Sequence, residues 1–231
     1  MTCYGMYMFL TRRAGPALAA LMGLISPATA CSVALAFAVD VSASVTPAQY
    51  RLQMDGLAQA LRDPVVTREL AGGQAALTLV QWTGRGFQQV AIPWRQVTRG
   101  AEVEAFARTV AATPRAWPGA NTALGEALAY THAHFAGAPA CARQIIDVSG
   151  NGRSNEGRAP RAQRAGFDAA GFTVNAIVLQ RPGTALDTYF LEEVIAGPGA
   201  FVVTVARPED YPDRMREKLL RELAVQMVRH P

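Results

Sequence analysis

The sequence predicts an α/β fold, with a doubly wound, mainly parallel six-stranded sheet flanked by helices. Its 231 residues fit one domain with a substantial core. Its hydrophobic content of 50% excludes a disordered chain. Apolar runs of strand length alternate with segments of helical periodicity, which is typical of parallel strands joined by helices.

The first strand and helix are predicted from the segment 33–61. The letters VALAFAVDV at 33–41 are apolar except for one aspartate, as expected for a strand buried on both faces. The letters TPAQ at 46–49 form a capping box with proline at the first helical position. Apolar residues then recur at helical spacing until Asp63-Pro64, which is expected to end the helix.

A hairpin is predicted next. The strand at 75–83 is followed by a tight GRG turn at 84–86, and 87–92 returns as an antiparallel edge strand. An apolar stripe at 103–110 predicts a helix, and a loop containing prolines covers 113–121.

The second half of the chain continues the alternation of helix and strand. Its predicted helices lie at 123–135, 161–170, 187–194 and 208–228. Its predicted strands lie at 144–149, 173–179 and 201–205. No internal repeat or low-complexity segment interrupts this pattern.

Residues 1–30 are expected to be a secretory signal peptide, and 31–231 one domain. Arg12 and Arg13 precede about a dozen apolar residues, fewer than the roughly 20 that span a membrane, and Ala28 and Ala30 form an A-x-A exit. The chain is therefore expected to be exported, as a periplasmic or secreted protein. A lipid anchor on Cys31 is the less favoured alternative, because Ala28 stands where the attachment box normally has leucine.

The charge balance and the cysteines give further information on the class of protein. Without Arg12 and Arg13 the chain has 20 basic against 18 acidic residues, which does not indicate a nucleic-acid binder. Cys31 and Cys141 each precede a predicted strand and would remain after export. They form either a disulfide or two buried thiols.

Polar side chains gather where the predicted strands end. Asp40, Ser42 and Ser44 follow the first strand, Asn121 and Thr122 precede a helix, and the fourth strand ends in Ser149, Gly150 and Asn151. Ligands bind beyond the carboxyl ends of parallel strands, near the switch in strand order. Oxygen donors of this kind suit Mg²⁺ or Mn²⁺. The alternative interpretation is helix capping and turn formation by the hydroxyls.

These residues resemble a von Willebrand factor A (vWA) domain, with its Rossmann-like sheet and metal-ion-dependent adhesion site (MIDAS). The resemblance covers 33–228, rests on DVSAS, NTALGEAL and IIDVSGNG, and extends to a bacterial family of exported vWA-like proteins without an assigned function. It implies that Ser42 and Ser44 ligate the metal directly and that Asp40 holds it through water. Thr122 would ligate when a partner is engaged. Asn151 stands where the family has aspartate, which lowers the expected affinity.

Four further residues are candidates of lower rank. Asp147 is a second possible ligand, although its mid-strand position predicts that it points elsewhere. Trp117, Asn121 and Arg153 are candidates for the rim that contacts a ligand. The alternatives are a packing role for the tryptophan and a solvated loop for the arginine.

The sequence favours a binding module over an enzyme. It lacks the G-x-S-x-G elbow of a serine hydrolase and the P-loop motif, and Ser42 stands where phosphoryl-transfer enzymes need a second acid. The expected function is capture of an Asp or Glu carboxylate of a partner protein by a divalent cation. The alternative is a structural or interaction domain whose metal site is degenerate at Asn151. A periplasmic hydrolase is the least favoured possibility.

Overall fold

Six strands form one sheet in a computed structural model, which describes residues 1–2, 31–117 and 119–224. The strands are β1 (Ala34–Asp40), β2 (Ala76–Trp82), β3 (Gln88–Gln96), β4 (Gln144–Gly150), β5 (Phe172–Leu179) and β6 (Val202–Val205). Their order in the sheet is β3-β2-β1-β4-β5-β6. Only β3 runs antiparallel to its neighbour within this described part. The predicted doubly wound, mainly parallel sheet is confirmed.

Helices cover both faces of the sheet. They are α1 (Pro47–Leu61), α2 (Pro64–Gly72), α3 (Gly100–Ala112), α4 (Leu124–His134), α5 (Arg164–Ala170), α6 (Leu186–Tyr189) and α7 (Tyr211–Ala224). One core contains apolar residues of α1, α2, α3 and α7, and the other contains those of α4, α5 and α6. The helix predicted at 208–228 is described only as far as Ala224.

Strand β1 separates the two cores because side chains alternate along a strand. Leu35, Phe37 and Val39 face the first core, and the small Ala34, Ala36 and Ala38 face the second. All seven residues of β1 are buried. The strand therefore delivers Asp40 to the end of a fully covered sheet.

Two local predictions about helices met different outcomes. The capping box is confirmed, since the N–H of Gln49 donates to Thr46 Oγ1 at 3.1 Å and the N–H of Thr46 donates to Gln49 Oε1 at 3.0 Å. Asp63-Pro64 ends α1 as expected but also begins α2, a helix that the sequence analysis missed. Asp63 Oδ1 accepts the N–H groups of Val65 and Val66, and proline needs no N–H at the first helical position.

A disulfide joins Cys31 to Cys141, so the first of the two alternatives for these cysteines is correct. Their Cα atoms are 4.5 Å apart, although 110 residues separate them in the chain. The bond links the segments that precede β1 and β4, which are neighbours in the sheet.

The prediction about the beginning of the chain meets the limits of the described residues. The predicted signal peptide, including Arg12, Arg13, Ala28 and Ala30, lies outside them except for residues 1–2. Across the helices that are described, none is long and apolar enough to cross a membrane.

Candidate metal centre

Asp40 lies at the switch in strand order, where β1 separates the hairpin side of the sheet from β4, β5 and β6. It is the last residue of β1 and is fully buried. Its Oδ1 accepts the backbone N–H of Ser42 at 2.7 Å. Its Oδ2 is also buried and has no hydrogen-bond partner among the described residues.

Burial raises the pKa of Asp40 from 3.8 to about 6. Hydrogen bonds from Ser42 and from the backbone N–H of Asn151, together with the positive charge of Arg115, lower this pKa by smaller amounts. A carboxylate that has lost its water without gaining a cation favours its neutral form. Asp40 therefore lies where either a proton or a bound cation would stabilise it.

The two serines and Asn151 are linked by hydrogen bonds above this carboxylate. Ser42 Oγ lies 3.2 Å from Ser44 Oγ, and Ser44 Oγ donates to Asn151 Oδ1 at 2.5 Å. Asn151 Nδ2 donates in turn to the Ser44 carbonyl at 2.9 Å. The structure thus brings together three predicted ligands from the ends of β1 and β4.

Thr122 lies in the neighbouring loop and is 6% exposed. Its N–H donates to Asn155 Oδ1 at 2.9 Å, and its carbonyl accepts the N–H of Asn155 at 2.9 Å. The loop is tied to the serine segment because the N–H of Ala43 donates to the Ala120 carbonyl at 2.8 Å. The Thr122 hydroxyl makes no hydrogen bond to another described residue, so its oxygen lone pairs are available.

Arg115 supports the site and was missed by the sequence analysis. One terminal nitrogen, Nη2, donates to the carbonyls of Val41 and Ser42, each at 2.9 Å. The side chain fixes the turn by which the chain leaves β1. No motif marks this arginine, because its role depends on a loop that returns more than seventy residues later.

Asp147 is not at this site, as its mid-strand position predicts. Its carboxylate lies 2.6 Å from Lys218 Nζ, and both side chains are buried. Asp147 pairs with Phe37 in the sheet and follows Ile145, whose side chains face the first core. Alternation therefore directs Asp147 toward α7, whereas Asp40 follows the opposite face of β1.

The predicted rim residues lie around the same end of the sheet. Trp117 has a φ of +35° and packs edge-on against Phe87, with ring centroids 5.8 Å apart. The Asn121 carbonyl accepts the hydroxyl of Thr83 at 2.8 Å. Arg153 is exposed, and its guanidinium lies 4.7 Å from the ring centroid of Tyr189.

The donor set fits a hard divalent cation. No group of three or more His, Cys, Asp or Glu side chains in the described residues could hold a metal ion. The residues at the strand ends instead offer one carboxylate, three hydroxyls and an amide oxygen, which are the hard donors that Mg²⁺ and Mn²⁺ accept. The unpartnered Oδ2 of Asp40 is the atom that a cation would compensate.

Comparison with solved structures places this fold. Proximal thread matrix protein 1 from the mussel byssus, in a structure described with a zinc-occupied MIDAS motif, gives a TM-score of 0.63 at 21% identity, covering 84% of this chain and 48% of that one. A von Willebrand factor type A structure from Catenulispora acidiphila gives 0.57 at 15% identity, covering 84% and 43%. The pilus adhesin SpaC from Lactobacillus rhamnosus GG gives 0.61 at 10% identity, covering 84% and 31%.

The fold therefore defines a von Willebrand factor A-like domain. The chain belongs to the family described as a protein of unknown function, DUF1194, whose sequence model matches residues 30–227. It spans less than half the length of the three solved proteins. No curated protein matches it.

Proposed function

We propose that the chain is an exported protein-binding module in which a divalent cation at the strand ends captures an acidic group of a partner. The observation that carries this proposal is the fully buried Oδ2 of Asp40, which lacks a partner beside a linked set of hydroxyl and amide oxygens. A buried carboxylate without a counter-charge costs stability unless something supplies that charge.

The cation would be held by Asp40, Ser42, Ser44, Asn151 and Thr122, and Mg²⁺ or Mn²⁺ suits these donors. When bound, such a cation offers a coordination position to a carboxylate of the partner. The mussel protein, whose structure is described with a zinc-occupied MIDAS motif, supports a divalent cation in a domain of this fold. Only one carboxylate would offset the cation, so its attraction for an incoming acid is strong.

Binding rather than catalysis is the proposed role because Asp40, the one carboxylate of the site, is needed to hold the cation, and neither described histidine of α4 is free to assist it. Both histidines lie on α4 and pack against aromatic rings of other elements, His134 on Trp94 and His132 against Phe167 and Phe172. The disulfide supports export to an oxidising compartment. Periplasmic and secreted locations both fit this proposal, and a lipid anchor on Cys31 is the alternative to a soluble form.

Thermal melts of the purified chain test the metal site. We expect Mg²⁺ or Mn²⁺ to raise Tm relative to EDTA, because a ligand at about 100 times its Kd adds roughly 2.7 kcal/mol of stability. For a domain of this size that corresponds to roughly 5–10 °C. Asp40→Ala should lose the shift, whereas Asp213→Ala, an exposed acid on α7, should keep it. Equal melts in metal and EDTA for the unmodified chain would contradict the proposal.

The second candidate is a structural or interaction domain whose metal site is degenerate at Asn151. Asn151→Asp separates the two candidates. If the site is functional, both chains respond to metal and the variant binds it about tenfold more tightly, which corresponds to roughly 1.4 kcal/mol. A response in the variant alone would support the degenerate site.

A further inference from the structure

An open cavity of about 310 Å³ adjoins the candidate metal centre. Its lining residues are Asn151, Gly152, Arg153, Arg181, Thr184 and Leu186. Because Asn151 belongs both to this lining and to the linked oxygens above Asp40, a ligand at the metal centre has direct access to the cavity. The volume is at the lower end of the range for ligand pockets.

Two arginines of the cavity have no counter-charge. Neither Arg153 nor Arg181 pairs with a carboxylate within the described ranges. By contrast, nearby Arg158 contacts Glu126 at 3.1 Å and Arg161 contacts Glu193 at 3.3 Å. Positive charge is therefore left open at the wall of the cavity, whereas Arg158 and Arg161 are compensated.

Tyr189 orients the first of these arginines. The guanidinium of Arg153 lies 4.7 Å from its ring centroid, and the Tyr189 hydroxyl accepts the N–H of Ser154 at 3.2 Å. Stacking on a ring occupies the face of the guanidinium and leaves its in-plane N–H donors available. Arg153 is thus held in place without losing the donors that recognise a carboxylate.

The segment that carries Arg181 is held in an unusual conformation. Thr184 donates from both its hydroxyl and its N–H to the Arg181 carbonyl, at 2.6 and 3.2 Å. Ala185 then takes a left-handed conformation with φ of 42°, which an alanine adopts at a cost of about 1–2 kcal/mol. This turn places Arg181 beside the cavity and leads into Leu186, which is 2% exposed.

The order of the strands sets the spacing of the two anchors. Asp40 ends β1, Asn151 follows β4 and Arg181 follows β5, and these strands are consecutive neighbours in the sheet. Neighbouring strands are about 4.8 Å apart, so the ends of β4 and β5 lie roughly 5 and 10 Å from the end of β1. Side chains two residues apart in an extended peptide are about 6.6 Å apart.

We propose that the arginine cavity, defined by Arg153 and Arg181, is a second acidic subsite, so that the partner segment is an extended acidic peptide with carboxylates two residues apart. The first carboxylate reaches the metal centre and the second reaches the arginines. This inference rests on the proposed function and specifies its partner class. A peptide is favoured over a nucleic acid because, without Arg12 and Arg13, 20 basic residues stand against 18 acidic ones, a balance that does not indicate a nucleic-acid binder.

Fluorescence anisotropy with two labelled hexapeptides tests the subsite. One peptide has a single glutamate among glycines, and the other has two glutamates that are separated by one glycine. In Mg²⁺ we expect the second peptide to bind about five- to tenfold more tightly. In Arg153→Gln/Arg181→Gln this ratio should fall to near one. The matched control is Arg68→Gln/Arg95→Gln, which removes two exposed charges on α2 and β3 and should keep the ratio.

The outcomes separate this inference from the function on which it rests. If the single-glutamate peptide binds only with Mg²⁺ and Asp40→Ala abolishes that binding, but the second glutamate adds nothing, the acidic subsite is wrong and the proposed function stands. Binding of the two-glutamate peptide that needs the arginines but not Mg²⁺ supports the subsite and contradicts the metal-dependent function. Absence of binding by both peptides overturns both. A single-stranded oligonucleotide that binds as tightly, with the same dependence on the arginines, overturns the assignment to a peptide.

Discussion

Asp40 and Asp147 lie on neighbouring strands of one sheet, and both carboxyls are buried. Burial raises the pKa of Asp40 to about 6 and that of Asp147 to about 7. They differ in what they face. Asp147 has Lys218 Nζ at 2.6 Å, whereas Asp40 has hydroxyls, an amide and one oxygen without a partner. A buried acid with an internal cation is compensated within the fold, and one without it is suited to a cation from outside.

The lysine cluster, formed by Asp147, Asn175, Lys218 and Glu222, connects α7 to the sheet. Lys218 Nζ contacts Glu222 Oε1 at 2.5 Å, and Asn175 Nδ2 donates to the same oxygen at 2.8 Å. One lysine faces two carboxylates, and the repulsion from Glu222 adds to burial in raising the pKa of Asp147. All four side chains are buried, so the cluster is inaccessible to a partner.

Replacing Lys218 should cause the largest change in the free energy of unfolding. Lys218→Met leaves two buried acids without a cation, and we expect a loss of about 3–5 kcal/mol in the free energy of unfolding, measured in urea. Arg214→Gln is the control, because Arg214 forms an exposed pair with Glu217 and should cost less than about 1 kcal/mol. The triple variant Lys218→Met/Asp147→Leu/Glu222→Leu should recover most of the loss. A cost below about 1 kcal/mol for Lys218→Met would show that the two acids do not depend on Lys218 for their compensation.

In metal-free buffer Asp40→Asn should raise the free energy of unfolding, whereas Lys218→Met should lower it. The folded carboxyl has a pKa of about 6 against 3.8 for the ordinary value, so its charge costs nothing below about pH 4 and its full cost above about pH 6. At 1.36 kcal/mol per pKa unit, the variant gains about 2–3 kcal/mol near pH 7.5 and about nothing near pH 4.

Urea unfolding at the two pH values, after removal of metal, measures this gain. Asp213→Asn on α7 is the control at an exposed position. It should change the free energy of unfolding only slightly, and by the same amount at both pH values. Loss of stability in Asp40→Asn near neutral pH would mean that the carboxylate is already compensated inside the fold. Saturating Mg²⁺ should reverse the order of stability, because the unmodified chain binds the cation more tightly.

Features that depend on neighbouring residues were predictable from the sequence, and those that depend on distant pairing were not. The apolar run of β1 and the capping box at Thr46 are local patterns, and so is the spacing of Asp40, Ser42 and Ser44. The nine-residue α2 is too short for its periodicity to separate from the end of α1. The even number of cysteines outside the predicted signal peptide left the disulfide undecided, because parity does not fix which strands are neighbours.

The lysine cluster and Arg115 show the same limit. Lys218 is one of several charged residues in an amphipathic helix, and its burial becomes evident only when α7 lies against β4 and β5. The mid-strand position of Asp147 predicted that it points away from the candidate metal centre, because alternation is a local property. What it points toward required the tertiary structure.

Ser149 provides the smallest and sharpest test, because it lies on β4 between the two regions. Its hydroxyl donates to Gln53 Oε1 of α1 at 2.9 Å, and alternation places it on the same face as Asp147 rather than with the linked oxygens above Asp40. Ser149→Ala should therefore cost about 1 kcal/mol in urea unfolding. The shift in Tm caused by Mg²⁺ should stay unchanged, whereas Asn151→Ala, two residues later, should reduce it. If the Tm of Ser149→Ala no longer responds to Mg²⁺, β4 couples the face packed against α1 and α7 to the candidate metal centre. The carboxylates of Asp40 and Asp147 would then not be independent of each other.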